Sequence, residues 1–128
     1  MFTLTKKADY GLSMLSVLTQ RGRKGRVNLK ELSEMGMPRA FMSKIAASLV
    51  EAGILNSREG KGGGYGLNYE AKEIQVREAL EAIEGEVEPV ICKGCPAVDD
   101  CGQGGFMNKL TGDINKLLEK YTLEDLAK

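Results

Sequence analysis

The chain contains no histidine and no tryptophan, and only three of its 128 residues are cysteine. Without histidine, the Cys-His and Ser-His pairs that activate a nucleophile cannot be built, and a zinc site cannot draw on imidazole. No apolar run approaches the roughly 20 residues needed to span a membrane. The opening stretch MFTLTKKADYGL also lacks the apolar core of a signal peptide. A cytoplasmic protein is therefore expected, forming one domain or a small domain with an extension. In that reducing compartment three closely spaced cysteines do not form a disulfide framework, and metal or redox chemistry is the better reading. The stretch GKGGGYG is not a nucleotide phosphate loop, because its lysine lacks a following Ser or Thr. Nothing in the chain supports a nucleophilic enzyme.

Charge is absent only in sum. The formal net charge is zero, yet residues 1–66 carry eleven Lys and Arg against five Asp and Glu, a balance of +6. Residues 67–128 carry seven against thirteen, a balance of −6. Such a split suits a protein whose first half meets an anionic polymer.

Leu4, Ala8, Leu12, Leu15 and Leu18 recur at helical spacing and predict a first helix over about 5–20. RGRKGRVN then reads as an exposed basic loop. A short helix in LKELSEM stops at Gly36, and Met37-Pro38 opens another over 38–52, with proline in its first turn and Gly53 at its end. Its apolar face is expected at Phe41, Ile45, Leu49 and Val50, leaving Arg39, Ser43, Lys44 and Ser48 largely on others. Two strand-like runs, 54–57 and 65–68, flank a glycine-dense loop bearing Arg58 and Lys61, which reads as a hairpin wing. The first fold expectation is thus mainly α: a winged helix-turn-helix with a small β-hairpin wing, over 1–70. IQVREALEAIEG adds an acidic amphipathic helix ending at Gly85. A last long helix follows, carrying Phe106, Leu110, Ile114, Leu117 and Tyr121 at helical spacing, and Thr122 caps a short final turn.

Double-stranded DNA is the partner this pattern suggests. The helix over 38–52 would enter the major groove with its first turns, Pro38, Arg39, Ala40, Phe41, Ser43 and Lys44, nearest the bases. Arg58 and Lys61 would place cations near phosphate or in a minor groove, and the wing glycines permit a mobile, backbone-exposing loop.

ICKGCPAVDDCG, residues 91–102, contains all three cysteines: Cys92, Cys95 and Cys101. Three readings stand side by side. Zinc favours a C-x2-C half-site, but the chain offers neither a second such pair nor histidine. Iron-sulfur clusters tolerate wider spacing and a non-cysteine fourth ligand, and a glycine-rich loop can offer N–H groups to the sulfurs. Bare redox thiols are the third reading.

LTKKADYGL, MPRAFMSKIAASLVEAGIL, SREGKGGGYGL, the cysteine trio ahead of a long helix and the closing TLEDL together resemble the Rrf-type winged-helix transcriptional regulators. The resemblance is to the IscR/NsrR-like, iron-sulfur cluster-binding branch, and it runs almost end to end. It implies a repressor or dual regulator, a homodimer on palindromic DNA, with residues 71–128 holding a cluster-binding loop at about 88–105 and a dimerisation helix packed through Phe106, Leu110, Ile114 and Leu117. The same resemblance implies a 4Fe-4S or 2Fe-2S cluster on Cys92, Cys95 and Cys101, sensing nitric oxide, redox state or iron-sulfur status. The fourth ligand it suggests is Asp9 from the partner subunit, with Asp99 and Asp100 as local competitors. Three features depart from the family pattern: Glu59 stands where many members have the wing arginine, the first two cysteines are closer together, and ELSEMGMP is one residue short.

Overall fold

The computed structural model describes residues 5–85 and 104–126. Cys92, Cys95 and Cys101, with Asp99 and Asp100, lie outside the described residues. Helix α1 spans Lys6–Arg21. Thr5 caps it, its hydroxyl oxygen accepting from the Ala8 N–H, and Gly22 at φ 85° ends it. Helix α2, Leu29–Glu34, opens on a reciprocal cap: the Asn28 side chain accepts from the Glu31 N–H, and the Glu31 carboxylate accepts from the Asn28 N–H. Gly36, at φ 95°, then turns the chain towards α3, Arg39–Glu51.

Pro38 does not occupy the first turn of α3, as the sequence suggested. It is the N-cap, with an extended ψ of 124°. A proline is tolerated there because its missing N–H removes one donor the helix could not have paired. The buried stripe also differs: Met42, Ile45, Ala46 and Leu49 point inward, and Phe41 and Val50 are half-buried beside them. Phe41 meets Tyr10 edge-on, with ring centroids 5.6 Å apart.

Strands β1, Leu55–Arg58, and β2, Gly64–Leu67, pair antiparallel with Leu55 opposite Leu67 and Arg58 opposite Gly64. Val27 adds a single rung to β2, its N–H and carbonyl both bonded to Tyr65 at 2.9 and 2.7 Å. A 3-10 turn, Ala71–Glu73, leads to α4, Val76–Glu84, which Gly85 terminates at φ 91°.

Helix α5, Gly104–Glu119, packs against α4, and Arg77 of α4 pairs with Glu119. The short α6, Leu123–Leu126, closes the described residues. Its approach pairs backwards with the entry to α4: Val76 N–H donates to Tyr121 O and Leu123 N–H to Ile74 O, both at 2.9 Å. Leu123 is thereby fully buried alongside Met14, Leu15, Leu18, Leu32, Leu49, Leu55 and Leu67. This core draws on α1, α2, α3, the hairpin and α6, and among the described residues it buries no polar or charged side chain.

Glu31 serves both its cap and Arg21, whose guanidinium lies 2.7 Å from the second carboxylate oxygen. The hydrogen bond from Arg21 holds the Glu31 carboxyl below its ordinary value, with the Arg21 charge and the Asn28 N–H adding to it and burial opposing. A depressed folded-state value means the stabilisation is present above the ordinary Glu range and lost as pH falls through the lower value. Unfolding midpoints measured in urea should therefore fall more steeply with acid for the wild-type chain than for Glu31→Gln; parallel curves would remove Glu31 from the pH dependence. Asn28→Ala should cost about 1 kcal/mol at neutral pH in the same assay.

Candidate nucleic-acid interface

The α2–α3 corner and the wing stand on either side of a surface groove of about 1190 Å³. Arg39 borders it from the start of α3, Arg58 and Lys61 from the wing, and Lys24 and Lys30 from the segment before α2 and its first turn. Counting Arg26, six cations line the groove against two carboxylates, Glu31 and Glu59. A concave, cation-lined surface of this kind suits a polyphosphate backbone.

The residues singled out from the sequence as DNA contacts fall into three groups. Arg39, Arg58 and Lys61 come together in the groove. Pro38, Ala40, Ser43 and Lys44 are exposed on the first half of α3, outside the groove lining. Phe41 is half-buried against Tyr10 and supports the exposed positions from beneath. Asp9 is exposed in the first turn of α1.

The basic loop RGRKGRVN is exposed at Arg21, Arg23 and Lys24, as its composition suggested, and half-buried at Arg26, but its arginines are also tied to the fold. Arg21 donates to Arg26 O at 2.6 Å and pairs with Glu31. Arg23 bonds the carbonyls of Leu67 and Asn68, and Arg26 bonds Asn56 Oδ1 and Gly64 O. Three of its four cations are thus tied to carbonyls, an amide or a carboxylate, and Lys24 is left facing the groove. Burial, then the nearby Arg58 charge, lowers the Arg26 pKa from the usual arginine value. Its guanidinium still remains charged at any physiological pH. The sequence clue to these inward arginines lay in Asn56 and Asn68, polar residues in or beside strands where packing would favour apolar ones.

The wing loop is also more determined than a freely mobile tip. A Cβ on Gly63 would lie 2.2 Å from Arg58 O. Gly64 combines φ +119° with a Cβ position 2.6 Å from Val27 O, so no other residue fits without strain.

Helix α5 carries Phe106 and Leu117 with 62% and 50% of their surface exposed, Tyr121 just beyond it is 49% exposed, and none of residues 105–119 is buried. Leu110 and Ile114 are half-buried between them. Among the described residues no group of three His, Cys, Asp or Glu is placed to hold a metal ion. No helix among them is long and apolar enough to cross a membrane.

Solved structures share this arrangement. CymR of B. subtilis, described as its global cysteine regulator, superposes with a TM-score of 0.81 at 25% identity, covering 99% of this chain and 97% of its own. T. potens IscR gives 0.78 at 26% identity, covering 98% and 85%. An oxidised form of Staphylococcus aureus CymR gives 0.76 at 26% identity, covering 99% and 97%. By sequence, the transcriptional regulator IscR of Photorhabdus laumondii is 29% identical over 128 residues, 97% of this chain and 78% of its own length. The sequence model of the Rrf2 family, described as an iron-dependent transcriptional regulator, matches residues 4–128. These relatives are transcription regulators, not enzymes, and their winged helix accounts for the helix-turn-helix, hairpin and cation-lined groove together. The chain belongs to the Rrf2 family of DNA-binding transcriptional regulators.

Proposed function

We propose that the chain regulates promoters as a homodimer on a palindromic operator, its DNA affinity governed by the cysteine segment. The observation that carries this reading is the groove in which Arg39, at the start of α3, faces Arg58 and Lys61 of the wing. The exposed positions Pro38, Arg39, Ala40, Ser43 and Lys44 would meet the major groove. Arg58 and Lys61 would reach phosphate or the adjoining minor groove, with Lys24 and Lys30 adding sequence-independent affinity. A second copy would cover Phe106, Leu110, Ile114 and Leu117, an apolar stripe long enough to need a partner.

Three soft thiolates with one carboxylate form a donor set that fits an iron-sulfur cluster better than zinc in a chain without histidine. Cys92, Cys95 and Cys101 would hold it, with Asp9 of the partner subunit as the fourth donor. When bound, such a cluster supplies a centre reactive towards nitric oxide and oxygen. The chain contributes the surroundings: the Thr5 hydroxyl donates to Glu84, joining the α1 cap to the end of α4 from which the cysteine segment departs. Bare cysteine thiols acting as a redox switch are the second reading, favoured by the likeness to the oxidised form of S. aureus CymR.

Gel-shift titration against genomic fragments at rising salt should reveal sequence-selective, salt-sensitive binding; its absence would sink the regulatory reading. Lys61→Ala should weaken every sequence alike and lower the salt slope by about 1, whereas Arg39→Ala should relax the preference at one position at a cost of about 1–3 kcal/mol.

Protein purified without oxygen should be brown, with iron and sulfide in stoichiometric amounts, and Asp9→Ala should alter its absorption spectrum or the lifetime of the colour. Colourless protein holding zinc would overturn the cluster. Metal-free protein whose DNA affinity responds reversibly to thiol oxidation would favour the switch instead. Leu117→Asp should shift the sedimenting species from dimer to monomer.

A further inference from the structure

Two arginines and two asparagines form a network at the foot of the wing that the DNA-contacting surface does not use. Arg23 grips the end of β2, Nη1 donating to Leu67 O at 2.7 Å and Nη2 to Asn68 O at 2.8 Å. Arg26 grips its start and reaches across to β1: Nη2 donates to Gly64 O and to Asn56 Oδ1, both at 2.7 Å. Asn56 Nδ2 donates to Asn68 Oδ1 at 2.8 Å, and Asn68 Nδ2 donates to Gly53 O and Leu55 O at 2.7 and 3.1 Å. The network therefore touches both strands and both ends of β2.

Its centre is Arg26. Gly64, which it holds, is the register partner of Arg58, and the wing loop with Lys61 hangs between those two residues. Gly66 has no side chain where one would strike the guanidinium: a Cβ there would lie 2.9 Å from Arg26 Nη1. The Nε atom is buried and without a hydrogen-bond partner among the described residues, so the group is anchored from its Nη side alone. Arg26 lines the groove, yet its Nη2 donors are spent on Asn56 and Gly64.

We infer that Arg26 is the positioning residue of the wing, the two in-plane N–H groups of its Nη2 fixing where Arg58 and Lys61 stand relative to α3 and thereby setting DNA affinity without touching DNA. The inference rests on the DNA-binding reading above. Lysine cannot reproduce it, because a point ammonium on a flexible stem does not hold two acceptors in one plane as a guanidinium does.

The test uses the full chain and, as probe, a duplex that the wild-type protein enriches from a random-sequence library. Arg26→Lys should lose affinity about tenfold, as should Arg26→Gln, although the first keeps the charge. In DNA-free protein the amides of residues 55–67 should exchange faster in both variants while those of α1 do not change. Added to a background of Arg58→Ala with Lys61→Ala, Arg26→Lys should cause little further loss, because the cations it positions are gone. Gly66→Ala, which presses a methyl group on the guanidinium from the other side, should reproduce the exchange signature and guards against an Arg26 variant that fails to fold. Wild-type affinity in Arg26→Lys would show that only charge matters. A loss fully additive with the wing substitutions would make Arg26 a direct phosphate contact, and unchanged exchange in residues 55–67 would remove the clamp. Failure of the wild-type chain to enrich any duplex would instead bring down the DNA reading and the affinity half of the inference with it, leaving the exchange measurement to decide the clamp.

Discussion

Backbone pairing between Val27 and Tyr65 is the constraint on which the helix-turn-helix and its wing depend. A two-stranded hairpin is marginal in water on its own, and among the described residues β2 gains a second backbone partner beyond β1 only at this residue. Val27 is fully buried, so the rung is fixed from the core side as well. The next residue, Asn28, caps α2, and α2 leads through Gly36 into α3. One short segment thus fixes the wing with one residue and the helix-turn-helix with the next. Gly64 follows from the same geometry, because Val27 O occupies the space a side chain would need.

What was legible in the sequence is what local chemistry determines. The ends of α1, α3 and α4 fall within a residue or two of expectation because apolar spacing, caps and glycine stops act over a single turn. The facing of α3 was harder to read: Phe41 and Val50 are as apolar as Met42 and Ala46, and only packing against α1 and α4 selects among them. The return of the chain at Thr122, which pairs with Gln75, has no local signature at all. Nor do the inward arginines, whose acceptor carbonyls lie 38 to 45 residues away. In the bare sequence Arg23, Lys24 and Arg26 are equivalent cations. The fold separates them by planar donor geometry, which carbonyl pairs can satisfy and a lysine cannot match.

That separation changes the meaning of the charge split. The +6 balance of the first half is not all available to a polyanion, because Arg21, Arg23 and Arg26 are committed within the fold. Lys6 and Lys7 stand at the start of α1; the other cations left, Lys24, Lys30, Arg39, Lys44, Arg58 and Lys61, form no ion pair among the described residues. They concentrate where α3 and the wing converge, so the local field is stronger than a neutral whole chain suggests. In the acidic second half, Arg77 of α4 pairs with Glu81 of its own helix and joins α4 to α5 through Glu119.

The cysteine segment links α4 to α5 in the chain, and the end of α4 meets α1 where α1 packs on α3. Ile83, its last buried residue, fills the space left by Gly11 of α1: a Cβ on Gly11 would lie 2.3 Å from Ile83 Cδ1 and 3.4 Å from Ile45 Cγ2 of α3. Three helices therefore meet at one point with no spare volume. In a close-packed core a shift at such a point is not absorbed; it opens a void or moves a neighbour. Glu84, one residue on, is tied to the Thr5 cap of α1, so the end of α4 cannot drift without breaking a hydrogen bond as well. On the function proposed above, a change in the cysteine segment that pulled on α4 would be felt at Ile45, on the inner face of the helix whose outer face carries Ser43 and Lys44. The contact would give such regulation a short mechanical path, in which the small size of Gly11 matters as much as any charged group on the surface.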